Sequence, residues 1–274
     1  MDERFVTVIG ISNSDYSHLD MPEVLMGLFH PRPEYGSIER TANTIDVLIP
    51  VESNIVVAGR FHMTEKSASN ILFFHGNGEI VSDYDDLGPL YNRMGMNLLV
   101  IDYRGYGRST GRPTISTMMR DCHAIFEFTK GWLGGNGYRG AFIVMGRSLG
   151  SASALELISH HKDLINGLVL ESSFANTAPL LALLGVNTSE MGFREEKGFR
   201  NLEKIRTWDK LTLVIHAEFD HIFPFSEGQA LYDACPSQDK TLLKIPGANH
   251  NDIFMRGLEA YMKAVKILSE GIGI

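Results

Sequence analysis

The stretch Ala141-Phe142-Ile143-Val144-Met145-Gly146-Arg147-Ser148-Leu149-Gly150-Ser151-Ala152-Ser153-Ala154-Leu155-Glu156-Leu157-Ile158 runs from an unbroken apolar segment, through the pentapeptide G-x-S-x-G, into a helix-like pattern. A strand buried on both faces reads as a continuous apolar run, and the residues after Gly150 place their apolar side chains at helical spacing. A serine held at such a strand-to-helix turn projects its hydroxyl out of a strained elbow, and the flanking glycines give the elbow room to close. The pentapeptide occurs a second time, as Gly107-Arg108-Ser109-Thr110-Gly111. There the preceding apolar run, Leu98–Asp102, stops well short of Ser109, and Pro113 follows soon after, so Ser109 reads as a loop serine making a local hydrogen bond. Ser148 is therefore the candidate nucleophile.

Outward from that elbow, short apolar runs at Ile45–Pro50, Ile55–Phe61, Ile71–His75, Leu98–Asp102, Ala141–Met145, Leu168–Glu171, Leu211–His216 and Leu242–Ile245 alternate, after the first few, with longer helix-like stretches. This pattern predicts an α/β fold whose mostly parallel sheet carries helices on both faces. Only Val51–Asn54 separates the first two runs, which predicts an antiparallel hairpin at one edge. Residues 1–40, broken by Pro22, Pro31 and Pro33, are expected to form an irregular extension packed over an edge of the core, followed by one α/β domain over 41–274. Between Glu171 and Leu211 the chain is too long for an ordinary crossover. Its pieces Pro179–Leu184 and Asn201–Ile205 predict a small cap over about 174–208. The cap's leucines read first as its own core, with the lining of an acyl pocket as the alternative.

With a net charge of −8 over 274 residues, the chain offers no attraction to nucleic acid or anionic lipid headgroups. The acidic Met1-Asp2-Glu3-Arg4 start and the short apolar Phe5–Ile11 argue against a signal peptide or membrane anchor. Two distant cysteines, Cys122 and Cys235, fit a reduced, cytoplasmic protein without disulfides. Arg104, Arg108, Arg112 and Arg147 read as solvated, with receipt of an anionic substrate group as the alternative. Gly135-Asn136-Gly137-Tyr138-Arg139-Gly140 matches G-x-G-x-x-G but precedes a strand instead of following one, so it is a turn. His160-His161 and the pair His216 and His221 show no recognised ligand spacing, and no metal or cofactor is expected.

A serine hydroxyl needs a histidine to accept its proton and an acid to fix that histidine's tautomer. On a strand–turn–helix elbow the acid and then the histidine follow in the chain. After Leu211–Ile215 comes His216-Ala217-Glu218-Phe219-Asp220-His221, which makes Asp220 the candidate acid and Glu218 the fallback. After the last apolar run, Gly247-Ala248-Asn249-His250-Asn251-Asp252 places His250 in a turn able to aim its ring inward; its competitor, His221, sits awkwardly beside the acid. The developing oxyanion needs two fixed N–H donors, assigned to Leu149 behind the nucleophile and to Asn77 in His75-Gly76-Asn77-Gly78.

Taken with Asp102-Tyr103-Arg104-Gly105-Tyr106-Gly107, these segments resemble the α/β-hydrolase superfamily over roughly residues 45–270, and most of all its soluble α/β-hydrolase-domain acyl hydrolases and serine-aminopeptidase-like hydrolases. The resemblance implies an eight-stranded α/β-hydrolase sheet with a cap after strand 6 and a Ser148–Asp220–His250 triad. It also implies a cofactor-free serine hydrolase that cleaves a small-molecule carboxylic ester or thioester through an acyl-enzyme. An amidase or serine aminopeptidase using the same residues is the alternative within that class, and a non-catalytic binding protein the alternative outside it. Ala217 and Asn249 stand where the family commonly has glycine; Asn249 still tolerates left-handed geometry.

Overall fold

The computed structural model describes residues 15–35, 43–190 and 192–272. Its eight strands are β1 (Thr44–Glu52), β2 (Ile55–His62), β3 (Ser69–Phe74), β4 (Met96–Ile101), β5 (Phe142–Arg147), β6 (Gly167–Glu171), β7 (Leu211–Ala217) and β8 (Lys240–Ile245). They form one sheet in the order β1-β2-β4-β3-β5-β6-β7-β8. β1 and β2 make the expected hairpin, turning through Ser53 and a left-handed Asn54, and β2 pairs antiparallel with β4. All remaining pairs are parallel. Each of the eight apolar runs between Ile45 and Ile245 became a strand of this sheet.

Alternation along β5 shows why its run is unbroken. Val144 packs with Leu72, Phe74 and Leu170 into one core, while Ile143 and Met145 pack with Ile71, Phe73 and Val169 into the other. Each such side chain contributes about 1.5–3 kcal/mol by leaving water, so both faces must be apolar. The helices α3 (Ile115–Gly135), α4 (Gly150–His160) and α7 (Phe225–Ala234) cover the first face; α2 (Gly88–Arg93) and α8 (Ile253–Glu270) cover the second. Thr114 caps α3 by accepting the Thr117 N–H. Past its end, Gly137 adopts φ +79°, so Gly135–Gly140 is the turn the sequence suggested.

Two segments come to the carboxyl end of the sheet. Between β6 and β7 lie α5 (Thr177–Leu183) and α6 (Asn201–Ile205), close to the two helical pieces anticipated for the cap. The N-terminal stretch departs from the expected irregular edge strap. Within it, a 3-10 turn at Ser17–Leu19 leads to α1 (Pro22–Leu28). Pro22 occupies the first helical position, where its missing N–H costs nothing, and so starts a helix instead of breaking one. Leu19, Val24 and Leu28 are buried in the α3–α4 core, and Gly27 packs against Leu184 of the β6–β7 connection. The expectations for residues 1–14 and 36–40 lie outside the described residues.

Candidate active site

At the end of β5 the chain turns through Ser148, which is held at φ +51°. A left-handed, non-glycine residue costs about 1–2 kcal/mol and persists only where its surroundings insist on it. The insistence is visible. The Ser148 N–H donates to the Glu171 carbonyl at 2.8 Å, and the Ser148 carbonyl accepts from both the N–H and the Oγ of Ser151. A methyl group on Gly146 would drive into the Gly150 carbonyl, and one on Gly150 into the Phe74 carbonyl, so both glycines of the pentapeptide are required by packing.

His250 lies between the two partners proposed for it. Its Nδ1 is 2.9 and 2.8 Å from Asp220 Oδ1 and Oδ2, and its Nε2 is 3.0 Å from Ser148 Oγ. A carboxylate can only accept, so Nδ1 carries the proton and Nε2 is left to accept from the serine hydroxyl. Asp220 Oδ1 also takes the Ile222 and Phe223 N–H groups, at 3.0 and 2.8 Å. Burial works against the Asp220 charge, but the hydrogen bond and charge of His250, aided by the Phe223 N–H, hold its carboxyl below the ordinary range. All three side chains are buried: Ser148 is 8% exposed, Asp220 7% and His250 4%.

The alternatives considered in the sequence fall elsewhere. Glu218 Oε2 accepts the Gly247 N–H at 2.9 Å, shaping the turn before His250. His221 is exposed, with its ring centroid 6.4 Å from that of His250. Ser109 Oγ accepts the Ala58 N–H at 2.8 Å, the local bond expected of a loop serine.

The Asn77 side chain is anchored through both its oxygen and its nitrogen. Its Oδ1 accepts from the His30 N–H and the Tyr106 hydroxyl, at 2.9 and 2.7 Å, while Nδ2 donates to His30 Nδ1 at 2.9 Å. Among the described residues, the backbone N–H groups of Asn77 and Leu149 donate to nothing, and both residues line the cavity that contains Ser148 and His250. Beneath this loop, buried His75 links through Nε2 to Asp102 Oδ1 at 3.1 Å, and the Tyr103 hydroxyl donates to the His75 carbonyl at 2.6 Å. Gly107 sits against Asp102 Oδ2 where no Cβ fits. His75-Gly76-Asn77 and Asp102–Gly107 are thus one buttress for the Asn77 turn.

The cavity measures about 310 Å³. Leu180, Leu183, Leu184, Phe174, Ile222 and Phe223 form much of its wall, so three leucines of the β6–β7 connection line the site. Gly27, Leu28 and His30 complete it from the N-terminal segment.

A family model described as serine aminopeptidase, S33, matches residues 65–191. The chain is 32% identical over 200 residues to the α/β hydrolase domain-containing protein aho-3 of Caenorhabditis elegans, covering 72% of this chain and 56% of that protein. To human α/β hydrolase domain-containing protein 17C it is 30% identical over 194 residues, covering 68% and 54%. The chain therefore spans little more than half the length of these relatives. Among solved structures, Pyrococcus furiosus esterase Pf2001 superposes with a TM-score of 0.69 at 18% identity, over 88% of this chain and 98% of that one. The chain belongs to the α/β-hydrolase superfamily. A monoacylglycerol lipase from Paleococcus ferrophilus shares the fold as well, with a TM-score of 0.62 at 18% identity over 79% of this chain and 99% of that one. No helix among the described residues is long and apolar enough to cross a membrane.

In this α/β-hydrolase three of the four arginines read as solvated are committed to carboxylates, while Arg112 is exposed. Arg104 forms a two-pronged pair with Asp121, and Arg108 reaches Glu34 and Asp46. Arg147, 7% exposed, lies beneath the site. It donates to Glu79 Oε1 at 2.8 Å, Glu171 Oε1 at 3.1 Å and the His250 carbonyl at 3.1 Å. Glu79 Oε2 accepts the Gly76 N–H and the Tyr84 hydroxyl, and Glu171 Oε2 accepts the Tyr261 hydroxyl, each at 2.7 Å. Burial raises both carboxyls; Arg147 opposes it, leaving Glu79 below and Glu171 above the ordinary range. Sequence reading missed this brace, although a charged residue inside a buried strand end was its signal. It missed the N-terminal contribution of His30 too, for which no local signal existed.

Proposed function

We propose that the protein is a serine hydrolase that cleaves a carboxylic ester or thioester through an acyl-enzyme. The observation that carries this reading is His250 within hydrogen-bond reach of Ser148 on one ring nitrogen and Asp220 on the other. Ser148 Oγ attacks the carbonyl carbon as its proton passes to His250 Nε2, and Asp220 stabilises the imidazolium formed. Negative charge on the carbonyl oxygen is received by the N–H groups of Asn77 and Leu149. Collapse returns the proton from His250 to the departing alcohol or thiol, leaving acyl-Ser148. Water, deprotonated by His250, then attacks the acyl carbon and restores the serine.

Of the cap expected over about 174–208, the part from Phe174 to Leu184 walls the cavity, and its leucines suit an apolar acyl group. The aminopeptidase alternative needs an acidic group to hold a free ammonium. The carboxylate on this cavity wall, Glu79, is bound to Arg147, which favours the ester reading. Fluorophosphonate labelling with peptide mapping tests the proposal: the label should fall on Ser148, and Ser148→Ala should lose both label and p-nitrophenyl ester hydrolysis. A folded protein that takes no label would be a binding module. Turnover of aminoacyl amides well above that of esters would make it an aminopeptidase.

A further inference from the structure

Away from the catalytic cavity, α3, α4, α6 and the N-terminal segment enclose a second polar cluster. Glu156 is fully buried on α4. Its Oε2 receives the Tyr16 hydroxyl at 2.7 Å and the Lys204 ammonium at 2.7 Å. Its Oε1 takes no hydrogen bond among the described residues, and neither does His123 Nε2, which faces it at 3.6 Å. His160 Nδ1 lies 3.8 Å from the same oxygen. Glu156 and His160 are four residues apart on α4 and so share a face, a spacing hidden when His160-His161 is read only as a pair of neighbours.

His123 Nδ1 lies 2.9 Å from His161 Nε2, and that contact holds the ring with Nε2 toward Glu156 Oε1. Two buried polar atoms without hydrogen-bond partners, joined by a second imidazole converging on the same oxygen, suit a cation between them.

We propose that His123, Glu156 and His160 bind a divalent transition-metal ion of the zinc type. The ligand atoms all lie within 4.8 Å of one another. A tetrahedral zinc ion with bonds of about 2.0–2.2 Å sets its ligands about 3.4 Å apart, so the His123–Glu156 pair is already close to bonding geometry and His160 has to move in slightly. His160 Nδ1 now lies 2.9 Å from the Glu156 carbonyl. That carbonyl keeps the Ser159 hydroxyl as a donor, at 2.8 Å, when His160 turns to the ion. His161 is the outer partner that fixes the His123 ring. Lys204 opposes a cation, but it sits on the other carboxylate oxygen. Three protein ligands leave a fourth position for water.

The test is zinc titration of chelator-treated full-length protein by calorimetry, with thermal melting beside it. One ion should bind per chain and raise Tm, because a ligand held only by the folded state stabilises it. His160→Gln alters a ring at the protein surface and should weaken zinc by more than about tenfold without disturbing the metal-free Tm. His123→Asn should do the same; if it fails to fold, His160→Gln decides alone. Absence of both heat and Tm shift at millimolar zinc, or affinity in His160→Gln equal to the unaltered protein, would overturn the site.

Discussion

Asp220→Asn separates the two carboxylates of the β7 loop by tautomer chemistry. Asp220 Oδ1 is fixed by the Ile222 and Phe223 N–H groups, so an asparagine keeps its carbonyl oxygen there and turns its NH2 toward His250 Nδ1. That nitrogen then has to accept, and the ring proton moves to Nε2, which faces Ser148 Oγ at 3.0 Å. The serine oxygen can then only accept from that N–H, and its own proton has no base to go to. The analogous change in well-studied serine hydrolases lowers kcat by about 10⁴, equivalent to about 5.5 kcal/mol of transition-state stabilisation. The same loss is expected here in kcat for a p-nitrophenyl ester at neutral pH, with the melting transition nearly unmoved. Glu218→Gln is the control. Its amide oxygen still accepts the Gly247 N–H, so activity should stay within about tenfold of the unaltered protein. Should Asp220→Asn keep more than a tenth of the activity while Glu218→Gln abolishes it, the assignment of the acid is wrong.

Other substitutions probe the supports. Ser109→Ala removes the acceptor of the Ala58 N–H and should cost about 1 kcal/mol in urea unfolding, yet leave fluorophosphonate labelling intact. Gly107→Ala places a methyl against Asp102 at φ +55°; the left-handed backbone alone costs about 1–2 kcal/mol, so a larger fall in stability is expected by the same assay. Arg147→Met strands Glu79 and Glu171 without their cation, at about 3–5 kcal/mol near neutral pH. Those carboxyls then titrate above their unfolded values, so the native state takes up protons first and acidification should restore part of the loss. His62 is buried and, with Arg60 nearby, its pKa falls to about 4 from an unfolded 6.5. Below pH 6.5 the unfolded chain binds the extra proton, so stability should decline toward pH 4 by up to about 3 kcal/mol. His62→Gln should flatten that decline in pH-dependent melts.

How far the sequence revealed this site depends on distance along the chain. Buried strands announce themselves locally, because every residue of a run such as Phe142–Met145 meets an apolar neighbour on one face or the other. Ser148, Asp220 and His250 were legible for a related reason: each sits in a turn directly after a strand, and parallel strands gather such turns at one end. Arg147 was misread because its partners, Glu79 and Glu171, are brought to it by the sheet and by no pattern within a few residues. His30 escaped entirely. Its bonds to Asn77 join positions 47 residues apart, and nothing between Pro22 and Pro33 marks a helix that ends against an active-site loop.

The brace made by Arg147 has an evolutionary consequence. Through Glu79, Glu171 and the His250 carbonyl, one guanidinium ties together the loop of Asn77, the end of β6 and the turn that carries the histidine. Loops on this fold ordinarily vary independently, each lengthening or shifting as its own contacts allow. These three share a buried charge balance, so an insertion that displaces any one of them strands a carboxylate belonging to another. Room for change that leaves this brace untouched lies in the β6–β7 connection, whose leucines line the cavity.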